Sequence, residues 1–201
     1  MPRPKADSVA IRERLLDAAE TILATNGGQR LVLSDVASAV GMTQSNAYRY
    51  LRDKDDLVVA LARRWFADVE RAAKTAIAEA GTAEDRIRAW LLATMRAKIV
   101  RYDRDPVLFR AYLELARGYP QVVADHVAHL RGLIEPSVAD LVGGDRVGEA
   151  LRLLEDATIL FRNPYLIAQH RADLGEGRAL TVLEAVLAGI AKGMAAGGRG
   201  R

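Results

Sequence analysis

Residues 34–51 read SDVASAVGMTQSNAYRYL, and the order of small, apolar and polar side chains in this stretch decides how the rest of the chain is read. Val36 and Val40 are four apart and share one face of a short helix. Ala37 and Gly41 repeat that spacing with side chains small enough for two helices to cross closely. Gly41 can take a positive φ and end the first helix abruptly. Thr43 then stands where an N-cap belongs, its hydroxyl able to accept from an otherwise unpaired amide of the next helix. In that second helix Ala47 and Leu51 point inward, which leaves Gln44, Ser45, Asn46 and Arg49 on the open face. The pattern is a helix–turn–helix whose second helix presents donors and acceptors, as reading base edges in a major groove requires.

Composition sets the frame around it. A chain of 201 residues can build one large or two modest cores. Half of it is apolar and only 5% aromatic, rich in Ala and Leu and poor in β-branched runs, which predicts an all-α protein. Without cysteine there are no disulfides, thiolate metal sites or cysteine nucleophiles. No apolar run approaches the ~18 residues of a membrane span, and MPRPKADS has no apolar core behind its charges, so no secretory signal is read there. A cytoplasmic protein without a membrane partner is expected. The net charge is +3, yet through Leu57 eight basic side chains face eight acidic ones. Any field toward nucleic acid must therefore come from charge placement.

Along the chain, residues 1–8 read as an arm carrying Arg3 and Lys5, with Asp7 or Ser8 capping a helix that runs to Asn26-Gly27-Gly28. Ile11, Leu15, Ala18, Ala19, Ile22 and Leu23 form its core-facing stripe. After Leu51, Asp53 or Lys54 starts a long helix to about Ala80, and Gly81 stops it. Thr82 and Asp85 resemble a capping box for a helix to Tyr102. Asp105-Pro106 opens a buried helix to Arg117. Gln121–Leu133 is expected to kink or break at Pro136 before Val138–Val142. Helices are expected over Val147–Phe161 and Ala179–Ala195, followed by a GGRGR tail. The reading divides the chain into a helix–turn–helix DNA-binding domain at 1–53 and a helical ligand-binding and dimerisation domain at 54–201.

The segments LLDAAETILATNG and SDVASAVGMTQSNAYRYLRDKDDL resemble the tetracycline-repressor-like (TetR) family of bacterial transcriptional regulators. The family's pattern is met by Val36-Ala37, Val40-Gly41-Met42-Thr43, Ala47-Tyr48, Tyr50-Leu51, Lys54 and Leu57, about the first quarter of the chain. The resemblance implies an N-terminal three-helix DNA-binding domain followed by a helical bundle. It places Gln44, Ser45, Asn46 and Arg49 toward bases and Thr43, Tyr48, Tyr50 and Lys54 toward phosphates. Gln and Asn suit adenine and Arg suits guanine, whereas tyrosine hydroxyls and lysine suit backbone oxygens. Family members often carry Thr where Val32 or Leu33 stands; Ser34 can take over that phosphate contact. The partners implied are a double-stranded operator, a second copy of the chain and a largely apolar small-molecule effector.

Aromatic and polar residues of the central helices make a candidate effector set: Trp90, Met95, Tyr102, Phe109, Tyr112 and Phe161, with His129 and Arg162 as polar anchors beside Arg96 and Glu114. Surplus apolar surface on the last two long helices predicts a dimer interface. Its candidates are Leu151, Leu154 and Thr158 on the first, and Leu183, Ala185, Val186, Gly189, Ile190 and Gly193 on the second. Two other readings compete with this one. One is a DNA-binding protein without a ligand. The other is a helical-bundle enzyme, for which His126 and His129 stand three apart but no Glu-x-x-His pair, phosphate loop or nucleophile elbow exists. No catalytic residue, metal or cofactor is assigned.

Overall fold

The computed structural model describes the backbone of residues 5–26 and 31–197 and the side chains of residues 7–26 and 31–193. Arg3, the Lys5 side chain, the Gly27-Gly28 pair and the tail beyond Gly197 lie outside the described residues. Among those described, every regular element is helical. In order they are α1 (Lys5–Asn26), α2 (Leu33–Ala39), α3 (Gln44–Ala47), α4 (Lys54–Glu79), α5 (Ala83–Arg104), α6 (Pro106–Arg117), α7 (Pro120–Val142), α8 (Val147–Arg162), α9 (Pro164–His170) and α10 (Glu176–Gly197).

Two compact units result, and they interleave along the chain. The first comprises Met1–Phe66 and Asp103–Val123, the second Ala67–Tyr102 and Ala124–Arg201. The sequence reading instead cuts the chain once, between 53 and 54. The first unit closes its core with Leu15, Ala19 and Leu23 of α1, Val36 of α2, Ala47 of α3 and Leu51, all fully buried, together with Leu57 and Leu61 of α4. Trp65 is the hub of an aromatic cluster there. Its ring stacks on Phe66 and Tyr112 at 5.7 and 5.2 Å and meets the edge of Phe109 at 5.5 Å, geometries that add to the burial itself.

The second unit packs α8 against α10 around Trp90, Leu91, Ile134, Leu151, Leu154, Phe161 and Leu183. The Thr82–Asp85 box forms as read: the Thr82 hydroxyl accepts from the Asp85 amide at 3.1 Å, and the Thr82 amide donates back to the carboxylate at 3.4 Å. In the first unit Asp105 caps α6 by accepting from the Leu108 amide at 2.8 Å.

Several boundaries differ from expectation for physical reasons. Helix α1 begins at Lys5, so Asp7 lies in its first turn, where an acid favours the helix dipole, and is not the cap. Helix α7 runs unbroken through Pro136. That proline is exposed, on the side where helix carbonyls tilt toward water. Leu130, Ile134, Val138 and Val142 on both sides of it bury into one core. Helix α9 was not expected at all. Asn163, the residue that ends α8, also caps this next helix by accepting from the Tyr165 and Leu166 amides at 2.9 and 3.3 Å. Helix α10 starts at Glu176, three residues before the sequence places it.

Candidate nucleic-acid interface

The turn between α2 and α3 is built by backbone chemistry. Gly41 takes φ of 73°, a left-handed conformation costly for residues with a Cβ. It lets the Gly41 and Met42 amides return to the carbonyls of Ser38 and Ala37 at 3.0 and 2.9 Å. Thr43 is extended and its hydroxyl accepts from the Asn46 amide at 3.3 Å, so it caps α3 as read. Regular α-helix then covers only Gln44–Ala47. From Tyr48 the turn tightens, with the Arg49 and Tyr50 amides donating three residues back to Asn46 and Ala47. That tightening delivers Leu51 to the core.

The reading face follows. Thr43, Gln44, Ser45, Tyr48, Arg49 and Lys54 are exposed, while Ser34, Asn46 and Tyr50 are half-buried. Gln44 and Tyr48, one turn apart, are joined: the Gln44 amide donates to the Tyr48 hydroxyl at 3.2 Å. The Ser34 hydroxyl donates to Asp35 at 3.3 Å.

An ionic clamp sets this face against its neighbours. Arg12 of α1 donates to the Tyr50 carbonyl at 2.6 Å and to Asp56 of α4 at 3.2 Å. The Arg52 amide donates to the other Asp56 oxygen at 3.0 Å, and Asp53 caps α4 by accepting from the Asp56 amide at 2.7 Å. Burial alone would raise the Asp56 carboxyl, but the Arg52 amide and the Arg12 guanidinium outweigh it and hold it below its ordinary range. Arg64 pairs with Asp17 at 2.6 Å and Glu13 at 3.8 Å. These pairs show how the even local charge is spent. Arg12 and Arg52 share Asp56 and Arg64 pairs with Asp17 and Glu13, whereas Arg49 and Lys54 form no ion pair among the described residues.

The effector candidates do not form one group. Trp90, Met95 and Phe161 are each 1% exposed and belong to the core of the second unit. The Arg162 guanidinium lies over the Trp90 ring at 5.1 Å. Tyr102 is half-buried, and His129 is exposed and 3.8 Å from Glu70. Phe109 and Tyr112 belong to the first unit, around Trp65. Arg96 pairs with Glu176, and Glu114 with Arg117, at the surface. The sequence reading missed Lys98 and weighed His126 only beside His129 in the enzyme reading; both Lys98 and His126 are buried in the second unit. Lys98 follows Ile87, Leu91, Thr94 and Met95 on a single α5 stripe, so a lysine on an apolar face was the available signal.

It also missed a groove in the first unit, lined by Val58, Ala62, Trp65, Phe66, Tyr112 and Tyr119 among others. The hydroxyls of its two tyrosines are fastened to carboxylates, Tyr112 to Glu20 and Tyr119 to Asp55, each at 2.5 Å. Burial and the Asp55 bond push the Tyr119 phenol up to about 12.

Of the interface candidates, Leu151, Leu154, Thr158, Leu183 and Ile190 spend their surface inside the chain's own core. Ala185 and Gly189 are exposed, and Val186 and Gly193 are half-buried. The exposed apolar side chains of α8 are Leu153 and Ile159, 48% and 45% exposed, which the sequence reading passed over. His126 is engaged by Glu70 at 2.6 Å, and no cluster able to hold a metal occurs among the described residues. No described helix is long and apolar enough to cross a membrane.

Comparison with known proteins agrees along most of the chain. Residues 15–61 match the profile of bacterial regulatory proteins of the tetR family, and residues 83–183 that of the tetracyclin repressor-like C-terminal domain. The HTH-type transcriptional repressor Rv1474c of Mycobacterium tuberculosis is 34% identical over 136 residues, 63% of this chain and 70% of its own. The HTH-type transcriptional regulator BetI of Brucella canis is 28% identical over 95 residues, 47% of this chain and 48% of its own. A TetR family transcription regulator from Marinobacter aquaeolei shares the fold, with a TM-score of 0.62 at 20% identity over 92% of this chain and 97% of that one.

Proposed function

Because the chain belongs to the TetR family of transcriptional regulators, we propose that it is a homodimeric repressor that binds a pseudo-palindromic operator and is released by a small molecule. The observation that carries this reading is the charge placement around α3. Arg49 and Lys54 are exposed and form no ion pair among the described residues, while Arg12, Arg52 and Arg64 are engaged by carboxylates. Gln44, Ser45, Asn46 and Arg49 read bases, and Ser34, Thr43, Tyr48, Tyr50 and Lys54 hold phosphates. Gln44 must exchange its bond to Tyr48 for a base edge, which frees the Tyr48 hydroxyl for a phosphate in the same step.

One reading head grips DNA weakly, so a second copy is needed. Leu153 and Ile159, which flank the buried stripe of α8, and Ala185 and Gly189 of α10 are the exposed apolar and small residues from which such a surface can be drawn. In the dimer the two heads must match half-sites one or more turns of ~34 Å apart. An effector that prefers a different setting of α4 changes that match, and a coupling of ~1–3 kcal/mol makes a useful switch.

Selection of bound DNA from a random pool, followed by affinity measurements, tests the reading. Arg49→Ala should relax preference at one base position at a cost of about 1–3 kcal/mol. Lys54→Ala should weaken all sequences alike and flatten the salt dependence by about one unit of slope. Equal losses on selected and random DNA for Arg49→Ala would refute its base-reading role. A pool from which no sequence is enriched would refute the function.

A further inference from the structure

Five polar or charged side chains are buried among the described residues: Thr94, Lys98, His126, Ser137 and Thr158. All five lie in the second unit, and its charged interior is predominantly basic. Lys98 of α5 is 6% exposed. Its ammonium has three donors to place, and its one hydrogen bond runs to the Arg162 carbonyl, 2.9 Å away at the end of α8. A helix C-terminus offers partial negative charge but not a counter-ion.

The nearest full charge has the wrong sign. Arg162 covers the Trp90 ring at 5.1 Å and is anchored by neutral acceptors, the Thr158 hydroxyl and the Glu155 carbonyl, both at 2.9 Å. Two of the neighbouring carboxylates are committed elsewhere. Glu155 pairs with Arg131 at 2.8 Å, and Glu70 with His126 at 2.6 Å and His129 at 3.8 Å. Among the described residues no carboxylate forms an ion pair with Lys98 or Arg162. Glu155 and Asp156 favour the Arg162 charge without bonding to its guanidinium, whereas burial and Arg162 act on Lys98 with no carboxylate among the causes, and a buried cation without a counter-ion is costly. Burial first, and Arg162 second, bring the Lys98 ammonium down to about 7.

We propose that Lys98 and Arg162 form an anion site that receives the carboxylate of an organic acid with an apolar body. Arg supplies a planar fork for a carboxylate and Lys a point charge. The Trp90, Met95 and Phe161 side chains of the same core cluster favour a singly charged amphipathic acid over a strongly hydrated multivalent anion. This deepens the ligand-responsive reading and rests on it, replacing a merely apolar effector with an acidic one. Binding takes up a proton at Lys98, so affinity falls as the pH is raised from about 6 to about 9. The other charged or titratable groups around this centre are Arg162, Glu155 and Asp156 from α8, His126 and His129 from α7 and Glu70 from α4.

The test uses the full chain with decanoate and benzoate as probes and 1-decanol and benzyl alcohol as their uncharged counterparts. Thermal unfolding should show stabilisation by the carboxylates and not by the alcohols. Lys98→Met, similar in length and suited to a buried site, should weaken carboxylate binding by about 10- to 100-fold, the span of one charged hydrogen bond. A measurement on the unaltered protein stands beside it: NMR of the lysine Nζ should show decanoate raising the titration midpoint of Lys98. The site is overturned if alcohols stabilise as well as carboxylates, if Lys98→Met binds carboxylate at the original affinity, or if no carboxylate binds. Affinity for selected DNA is read separately. Carboxylate binding that depends on Lys98 but leaves DNA affinity unchanged upholds the site and overturns the ligand-responsive reading.

Discussion

Removing the Arg12 side chain tests whether the clamp described above sets the reading helix. Arg12→Ala deletes two charge-assisted hydrogen bonds, 2.6 Å to the Tyr50 carbonyl and 3.2 Å to Asp56. Such bonds contribute about 1.5–3 kcal/mol each when buried. The Arg12 side chain is 36% exposed and Asp56 16%, so screening lowers the pair to a combined ~2 kcal/mol. For a chain of this size that is a fall of about 4–8 °C in Tm, measurable by circular dichroism. The functional effect should exceed the structural one, because Tyr50 closes the turn that carries Arg49 and Tyr48. Affinity for selected DNA should fall about tenfold while affinity for random DNA changes little. The acid side supplies an internal check. Asp56 is held low in the folded state, so its contribution is complete above its ordinary range and is lost as pH falls through the folded value. The stability gap between wild type and Arg12→Ala should therefore narrow below pH of about 4. An unchanged Tm, or equal losses on selected and random DNA, would refute the clamp.

Gly41→Ala should cost about 1–2 kcal/mol by thermal unfolding, entirely as backbone strain, since nothing lies within 4 Å of the added Cβ; a neutral result would mean the turn relaxes without it. Pro136→Ala should stabilise by about 2 kcal/mol in urea titrations, regaining one helical amide on an exposed position less the entropy released to the unfolded chain; a loss of stability would show that α7 needs its proline. Lys98 titrates near 7 when folded against 10.5 ordinarily, so between those values the unfolded chain holds a proton the folded one has released. Stability should rise with pH across that window by up to about 1.4 kcal/mol per unit, and Lys98→Met should lack the rise.

Local signals carried most of the fold. Gly41, Thr43, the Thr82–Asp85 box and Asp105-Pro106 specify backbone geometry within a few residues, and each does what its chemistry dictates. Pro136 and α9 misled because tertiary burial overrides local preference: Ile134 and Val138 hold α7 through its proline, and Ile167 buries α9 after a residue pair that also reads as a stop. The exposed face of α3 was legible because period 3.6 separates Ala47 and Leu51 from Gln44, Ser45 and Arg49. Which arginines remain available was not legible, since the partners of Arg12 and Arg64 lie far along the chain. Leu151 and Leu183 show the same limit. Surplus apolar surface on two helices says that something covers it, and here much of the cover is the other helix of the same chain.

The interleaving of the two units has a consequence for synthesis. The unit that carries α3 is completed by residues 103–123, the stretch holding Phe109, Tyr112 and Tyr119. A chain emerging from its N-terminus folds what it has, yet Trp65 lacks Phe109 and Tyr112, and Asp55 lacks Tyr119, until more than half of the 201 residues have appeared. The intervening residues 67–102 belong to the second unit and wait in turn for α7, α8 and α10. A nascent chain interrupted early would present a reading helix on an unfinished core. The helix–turn–helix end, although first to be made, matures only when its late-made pieces arrive.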